Sequence, residues 1–339
     1  MVKVAIIGLG KMGMSHCAIL GAHPDVELVG MCDPDSLLQS AVKKLTKIAC
    51  YTDYKKMINE TKPDAVYVVT PTKLHEEMVV YALEHGCHVF CEKPFSLTEK
   101  DGQIMVEAAK KYGKVNQVGY HNRFIGTFVE AKRLMDAGVI GKPFHFMGEA
   151  YGPVVLKRKG GTWRSDKKAG GGCVMDYAAH VLNLINYICS SPIVKVAGTS
   201  MPSIFSAEVD DAVYSTLTLE NGLKGQLSVC WSDDTVRKMT TSLKIEGDGG
   251  KIFVDATTLK VYVKEDNPKE GLVKGWNEKH IPELAPIVFF NLRGEEYSEE
   301  TDKFIKCIKE NKMSDRNSFE EAYKTDQIIN ALMEDAQNG

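Results

Sequence analysis

A few groups of residues in this 339-residue chain have types and spacings that could do chemistry. Gly8-Leu9-Gly10-Lys11-Met12-Gly13 is a G-x-G-x-x-G run that follows an apolar stretch and opens a helical one, and Asp33 lies twenty residues beyond Gly13. In such a loop Gly8 allows the tight turn, Gly10 lets backbone N–H groups approach a pyrophosphate, and Gly13 permits close packing of helix on strand. A carboxylate at Asp33 accepts hydrogen bonds from adenosine ribose hydroxyls and repels a 2′-phosphate, which points to NAD rather than NADP. The bland alternative is a glycine-rich turn that binds nothing; the strand before it and the helix after it argue against that. Asp176 and His180 are four residues apart, a spacing that puts both on one face of a helix. Oxidising a secondary alcohol requires a base for the hydroxyl proton while hydride leaves for a nicotinamide ring, and histidine suits that task near neutral pH. Asp176 would orient the imidazole or help bind substrate. Lys93 follows an apolar run, at the strand end where open α/β sheets bind ligands, and can stabilise an alkoxide there. On residue type alone it is equally a surface lysine ahead of a turn proline, Pro94.

The elements that must position these groups fall into two patterns. Val2–Ile7, Val26–Met31, Ala65–Val69, His88–Cys91 and Val115–Val118 are short β-branched apolar runs, separated by amphipathic stretches such as Leu74–Leu83 and Thr98–Tyr112. That alternation predicts βαβ units and a doubly wound parallel sheet, whose strands are covered on both faces and need no alternation of their own. After a helix over Thr127–Ala137 the pattern changes. Ala212–Leu219 and Leu223–Trp231 alternate about an Asn221-Gly222 turn, and Thr241–Ile245, Ile252–Val254 and Leu259–Val263 follow. This predicts a second, α+β domain with a mostly antiparallel open sheet and helices on one side, closed by helices from about Tyr297 and Ser318. The expected division is 1–122 for nucleotide binding and 123–339 for substrate binding and oligomerisation. The C-terminal helices are free in this scheme to pack back on the first domain. No flexible linker marks the boundary, so the domains are expected to pack closely and share a site.

Composition excludes several classes. With 42 Lys+Arg against 45 Asp+Glu the net charge is −3, which gives no field to draw the surface onto nucleic acid or a membrane. The apolar fraction of 44% and charged fraction of 26% are those of a globular chain. No apolar run reaches the roughly 18 residues of a membrane span, and Val2–Leu9 lacks the cleavage site of a signal peptide. Nine cysteines with no C-x-x-C pair predict buried thiols in a reducing cytoplasm. His85, Cys87, His88 and Cys91 are metal-ligand types, but they span a helix end and a strand whose side chains alternate, so no metal is expected. Tyr51-x-x-x-Lys55 matches the short-chain dehydrogenase pair in spacing alone and is read as chance.

Further segments become recognisable together: Thr70-Pro71-Thr72-Lys73-Leu74-His75, Glu92-Lys93-Pro94, and Gly170-Gly171-Gly172 leading to Asp176-Tyr177-Ala178-Ala179-His180. On these the chain resembles the Gfo/Idh/MocA family of glucose-fructose oxidoreductase and inositol-dehydrogenase-like enzymes over essentially its whole length. The resemblance implies a Rossmann domain, an α/β domain whose open sheet often serves as an oligomer interface, and oxidoreduction of pyranoses or polyols with a nicotinamide cofactor. Lys93, Asp176 and His180 are then the catalytic residues. Thr70, Pro71, Thr72 and His75 would line the cofactor cleft, although His75 also suits a helix start. Glu92 would lie near the nicotinamide ribose and Asn122 near the nicotinamide. Tyr120, Arg123, Trp163 and Arg164 would reach substrate, with a tryptophan packed under a loop as the alternative for Trp163. Ala178 departs from the glycine that many members carry, which alters at most how the helix begins.

The basic segment Lys157–Lys168 is either a solvated loop or, if it overhangs the site, a holder for an anionic sugar. The expectation is an NAD-dependent sugar or cyclitol dehydrogenase, a homodimer or homotetramer through its second-domain sheet. An enzyme that oxidises a sugar carbon only transiently on bound NAD, to allow elimination or glycoside cleavage, would use the same triad. A non-catalytic NAD sensor would have no need of Lys93, Asp176 and His180 together.

Overall fold

A computed structural model describes residues 1–158 and 163–338. The chain forms two compact units, Met1–His121 with Pro286–Tyr323, and Asn122–Ala285 with the residues from Lys324 onward.

In the first unit the elements run β1 (Val2–Ile7), α1 (Lys11–Ala22), β2 (Val26–Cys32), α2 (Ser36–Thr46), β3 (Cys50–Tyr51), α3 (Tyr54–Thr61), β4 (Ala65–Val68), α4 (His75–Glu84), β5 (His88–Cys91), α5 (Glu99–Tyr112) and β6 (Asn116–Val118). All the strand pairs are parallel, in the order β3-β2-β1-β4-β5-β6. The order reverses between β1 and β4, the switch point outside whose strand ends such sheets bind ligands. The helices carry their own start and stop signals. Asp35 accepts hydrogen bonds from Leu37 N and Leu38 N at the head of α2, and Thr98 accepts one from Asp101 N at the head of α5. Gly113 ends α5 at φ 59°, with Lys110 and Lys111 in its last turn to complement the helix dipole.

A later helix, α9 (Glu295–Glu310), packs against α1 and β1 and completes this core. Its Phe304 is fully buried and meets Tyr67 and Phe90 edge-on at 5.7 and 6.0 Å, while those two rings stack at 4.4 Å. Seven of the nine cysteines are buried, and burial pushes the thiols of Cys17 and Cys32 up to about 12, so both behave as small apolar side chains.

The second unit holds α6 (Gly126–Asp136), β7 (Pro143–Tyr151), α7 (Ala179–Ile188), β8 (Ile193–Ser200), β9 (Ala212–Leu219), β10 (Lys224–Cys230), β11 (Thr240–Gly247), β12 (Gly250–Asp255), β13 (Thr258–Val263), β14 (Gly275–His280) and α8 (Ile281–Leu284). The last helix, α10 (Phe319–Asn338), divides between the units at Tyr323. The eight strands lie in the order β14-β13-β12-β11-β7-β10-β9-β8, antiparallel except for β7 beside β10. Along β11, β12 and β13 every second residue is buried, because α6 lies on β12 and β13 and α7 on β7 and β11. Strands β7, β8 and β14 go beyond the runs expected from sequence. Trp231 is fully buried and donates from Nε1 to Asp211 at 2.6 Å; Asp211 also accepts the backbone N–H groups of Ile204, Phe205 and Ser206. Although burial works against its charge, these bonds hold the Asp211 carboxyl below the ordinary aspartate range.

Phe304→Ala should lower the unfolding free energy by about 3–5 kcal/mol, the usual cost of deleting a buried phenylalanine. Denaturant unfolding checks this, and a loss below about 1 kcal/mol would show that α9 is not part of the core.

Candidate functional site

The first unit contributes a loop shaped by what it cannot accommodate. Gly8 has φ 95°, and a Cβ there would stand 2.3 Å from the Val69 carbonyl oxygen; a Cβ on Gly13 would stand 1.9 Å from that of Gly8. These two glycines bring α1 down onto the end of β1. Gly10 differs, since a Cβ there would meet nothing within 4 Å and its φ of −62° suits any residue. The first turn of α1 has no side-chain cap, so its N–H groups are offered beside this open position. The chemistry of the loop therefore fits a dinucleotide pyrophosphate. Asp33 accepts Leu9 N at 2.7 Å on one oxygen and Asp35 N at 2.9 Å on the other, which fixes its carboxylate against the loop and leaves lone pairs for ribose hydroxyls.

Beyond β4, Thr72–Leu74 forms one 3₁₀ turn behind the exposed Pro71. His75 is buried at the head of α4, with Nε2 2.9 Å from Thr70 O and Nδ1 3.2 Å from Phe95 O. Burial holds this imidazole below its ordinary pKa, against the carbonyl contacts that favour its protonated form. Beyond β5, Glu92 is buried; its Oε1 meets His16 Nε2 at 2.7 Å and its Oε2 accepts Lys93 N at 3.1 Å. Burial raises the Glu92 carboxyl, but the contacts with His16 and the Lys93 charge outweigh it and hold the group below the glutamate range. Lys93 is half-buried. Tyr120 is buried, and its carbonyl accepts Asn317 Nδ2 at 2.9 Å.

In the second unit Asp166 caps a 3₁₀ turn over Lys167–Ala169 by accepting Lys168 N at 2.8 Å. After the glycine run Val174–Ala178 forms a π-helical turn, and α7 begins at Ala179. The single α-helix expected to carry Asp176 and His180 is thus corrected to a π turn feeding an α-helix, an irregularity frequent at functional sites. Asp210 secures its start by accepting Val174 N at 2.7 Å, and burial pushes the Asp210 carboxyl up to about 6. Asp176 and His180 are 4% and 3% exposed, and Asp176 Oδ2 accepts Arg164 Nε at 2.9 Å. The guanidinium balances a charge that burial would otherwise penalise. Asn122 is buried with no acceptor for its Nδ2, a donor in the state suited to a ligand carbonyl. Arg123 is 2% exposed, with Nε donating to Asn183 Oδ1 at 2.7 Å and Nη2 to Asn183 O at 3.3 Å. It braces α7 from within. The Trp163 side chain and Lys159 lie outside the described residues.

Sequence reasoning missed His16, Asp210 and Asn183. His16 had a signal: a polar residue on the face of α1 that buries Gly13, Cys17, Ile19 and Leu20. Among the described residues no cluster of three or more His, Cys, Asp or Glu could hold a metal ion, and no helix is long and apolar enough to cross a membrane.

The two glycine environments make opposite predictions. Gly10→Ala should fold with unchanged stability yet bind NAD at least about tenfold more weakly, whereas Gly13→Ala should lower thermal stability as well. Calorimetric titration beside thermal unfolding separates them, and equal stability loss in both variants would contradict the geometry.

Comparison with known proteins places this arrangement. Residues 2–120 match the model of the GFO/IDH/MocA oxidoreductase family, NAD-binding Rossmann fold, and residues 128–253 match the GFO/IDH/MocA C-terminal domain. The chain is 30% identical over 243 residues to D-glucoside 3-dehydrogenase of Escherichia coli, covering 65% of this chain and 67% of that one. It is 30% identical over 199 residues to scyllo-inositol 2-dehydrogenase (NAD(+)) of Bacillus subtilis, covering 58% and 56%. With myo-inositol 2-dehydrogenase of Thermotoga maritima it shares 27% over 315 residues, covering 91% and 88%. Among solved structures, levoglucosan dehydrogenase in complex with NADH has the same fold, with a TM-score of 0.88 at 22% identity over 99% of this chain and 97% of that one. The first part of the chain is thus an NAD-binding Rossmann domain, and the chain belongs to the GFO/IDH/MocA family.

Proposed function

We propose that the protein oxidises a secondary hydroxyl of a sugar, sugar derivative or cyclitol, with His180 as general base and Lys93 and Asp176 beside the reacting carbon. The observation that carries this reading is the buried Asp176 and His180 at the head of α7, with the Asp176 charge balanced by Arg164. A carboxylate and an imidazole are withdrawn from water there at a cost that packing alone does not require. The substrate class is supported by relatives named for glucosides and inositols.

His180 takes the hydroxyl proton, and Lys93 stabilises the alkoxide with its ammonium group. Asp176 orients the imidazole or a substrate hydroxyl, while Arg164 holds that carboxylate in place. NAD, when bound, supplies the hydride acceptor. Gly8, Gly10, Lys11, Met12 and Gly13 hold its pyrophosphate, Asp33 its adenosine ribose, and Thr70, Pro71, Thr72, His75, Glu92 and Asn122 the remainder. Asp33 also sets the preference for NAD over NADP. Tyr120, Arg123, Trp163 and Arg164 belong to the substrate side, and the basic residues around Lys167 and Lys168 would favour an anionic sugar. The uncovered face of the eight-stranded sheet, with Tyr214 and Trp276 41% and 58% exposed, suits a homodimer or homotetramer, and the buried thiols suit a reducing cytoplasm.

His180→Ala should reduce turnover by at least about a hundredfold, as loss of a general base does, while NAD affinity stays within about twofold; full activity would remove the assignment. Asp33→Ala should weaken NAD far more than NADP, and an unchanged preference in parallel titrations would refute the cofactor reading.

A further inference from the structure

We propose that His16 is a positioning residue for the oxidation, tying the Glu92–Lys93 segment to the helix that receives the cofactor phosphates. This rests on the reading of Lys93 as the group that stabilises the alkoxide.

His16 lies three residues past Gly13 on α1 and is fully buried, with its ring 5.5 Å from that of Tyr67 and 5.2 Å from that of Phe90. Leucine or isoleucine could fill such an aromatic pocket without a polar cost, so an imidazole there calls for a polar reason. The contact of Nε2 with Glu92 Oε1 at 2.7 Å supplies it. Nδ1 has no partner, and a proton there would be a buried donor with nothing to receive it, so the proton sits on Nε2 and is donated to the carboxylate. The other oxygen, Oε2, accepts the backbone N–H of Lys93 itself. A third side is closed by Gly119, where a Cβ would stand 3.1 Å from the carboxylate.

Glu92 is therefore held on both oxygens and along one wall. One link leads through His16 to α1, whose first turn lies at the open Gly10, and the other leads to the main chain of Lys93. The same turn is followed by Phe95, whose carbonyl meets His75. A shift of Glu92 would carry the Lys93 backbone with it. Misplacement of a catalytic group by about an ångström is enough to cost two orders of magnitude in rate, whereas the phosphate site on α1 would be undisturbed.

The test measures NAD reduction with myo-inositol and a methyl glucoside as probes, alongside NAD titration, for wild type, His16→Phe, His16→Gln and His16→Asn. Phenylalanine keeps the ring and removes the donor; glutamine places an N–H where Nε2 stood, and asparagine is too short. His16→Phe and His16→Asn should lose about 10- to 100-fold in kcat, with NAD affinity within about threefold of wild type, and His16→Gln should recover most of the rate. If the phenylalanine variant does not fold, the glutamine and asparagine pair carries the comparison. Glu92→Gln should show a similar loss in kcat at saturating NAD, with NAD itself weakened because Glu92 also lies on the cofactor side, and the double variant His16→Phe with Glu92→Gln should have a kcat no lower than that of the slower single one. Full kcat in His16→Phe, no difference between glutamine and asparagine, or additive losses in the double variant would each overturn the proposal. Lys93→Met separates the two levels: a slow Lys93→Met beside a fully active His16→Phe overturns this proposal alone, whereas full kcat in Lys93→Met overturns the reading beneath it as well.

Discussion

Gly13 and the carbonyl of Gly8 approach so closely that a single methyl group would stand 1.9 Å from the oxygen. Much of the nucleotide-binding unit depends on that absence of a side chain. It sets the angle at which α1 leaves β1, and so decides where the uncapped N–H groups of its first turn point and where the open position at Gly10 falls. It also places His16 one helical turn further on, at the level of Tyr67 and Phe90. The parallel order of strands then brings the ends of β2, β4 and β5 to the same edge, each delivering one polar element: Asp33, the Thr70 turn, and Glu92 with Lys93. Each is braced before any ligand arrives. Such preorganisation lets binding energy be directed at the transition state rather than at ordering loops.

The second unit solves a different problem, that of keeping an acid and an imidazole buried at the start of a largely apolar helix. Arg164 balances Asp176, Asp210 secures the π turn, and Arg123 grips Asn183 one turn further along α7. Removing one partner of a buried polar pair is in general costlier than replacing both with apolar groups. Asp211, by contrast, is satisfied by the backbone of its own loop and by Trp231, and is part of the framework.

The parallel sheet was legible because burial on both faces leaves continuous runs such as Ala65–Val68, and the glycine loop because its spacing is dictated by contact distances. The Asn221-Gly222 hairpin was legible for similar reasons. Strand β14, with Trp276, Asn277, Glu278 and Lys279, was not, since an edge strand with a solvated face carries too few apolar residues to show a period. The π turn has no signature, because an i to i+5 hydrogen bond is chosen by what surrounds it, here Asp210 and the glycine run. The bond of Arg123 to Asn183 has no signature either, because the two residues lie sixty apart in the chain and meet only in three dimensions.

The central proposal is that a sugar or cyclitol hydroxyl gives its hydride to NAD. The most direct measurement follows NADH absorbance while the protein and NAD are offered aldoses, inositols, glycosides, uronates and sugar phosphates. The account predicts sustained NADH formation, equimolar with the oxidised product, for one of these classes. Conversion of a glycoside with no net NADH, or tight NAD binding with no turnover of any class, would contradict it.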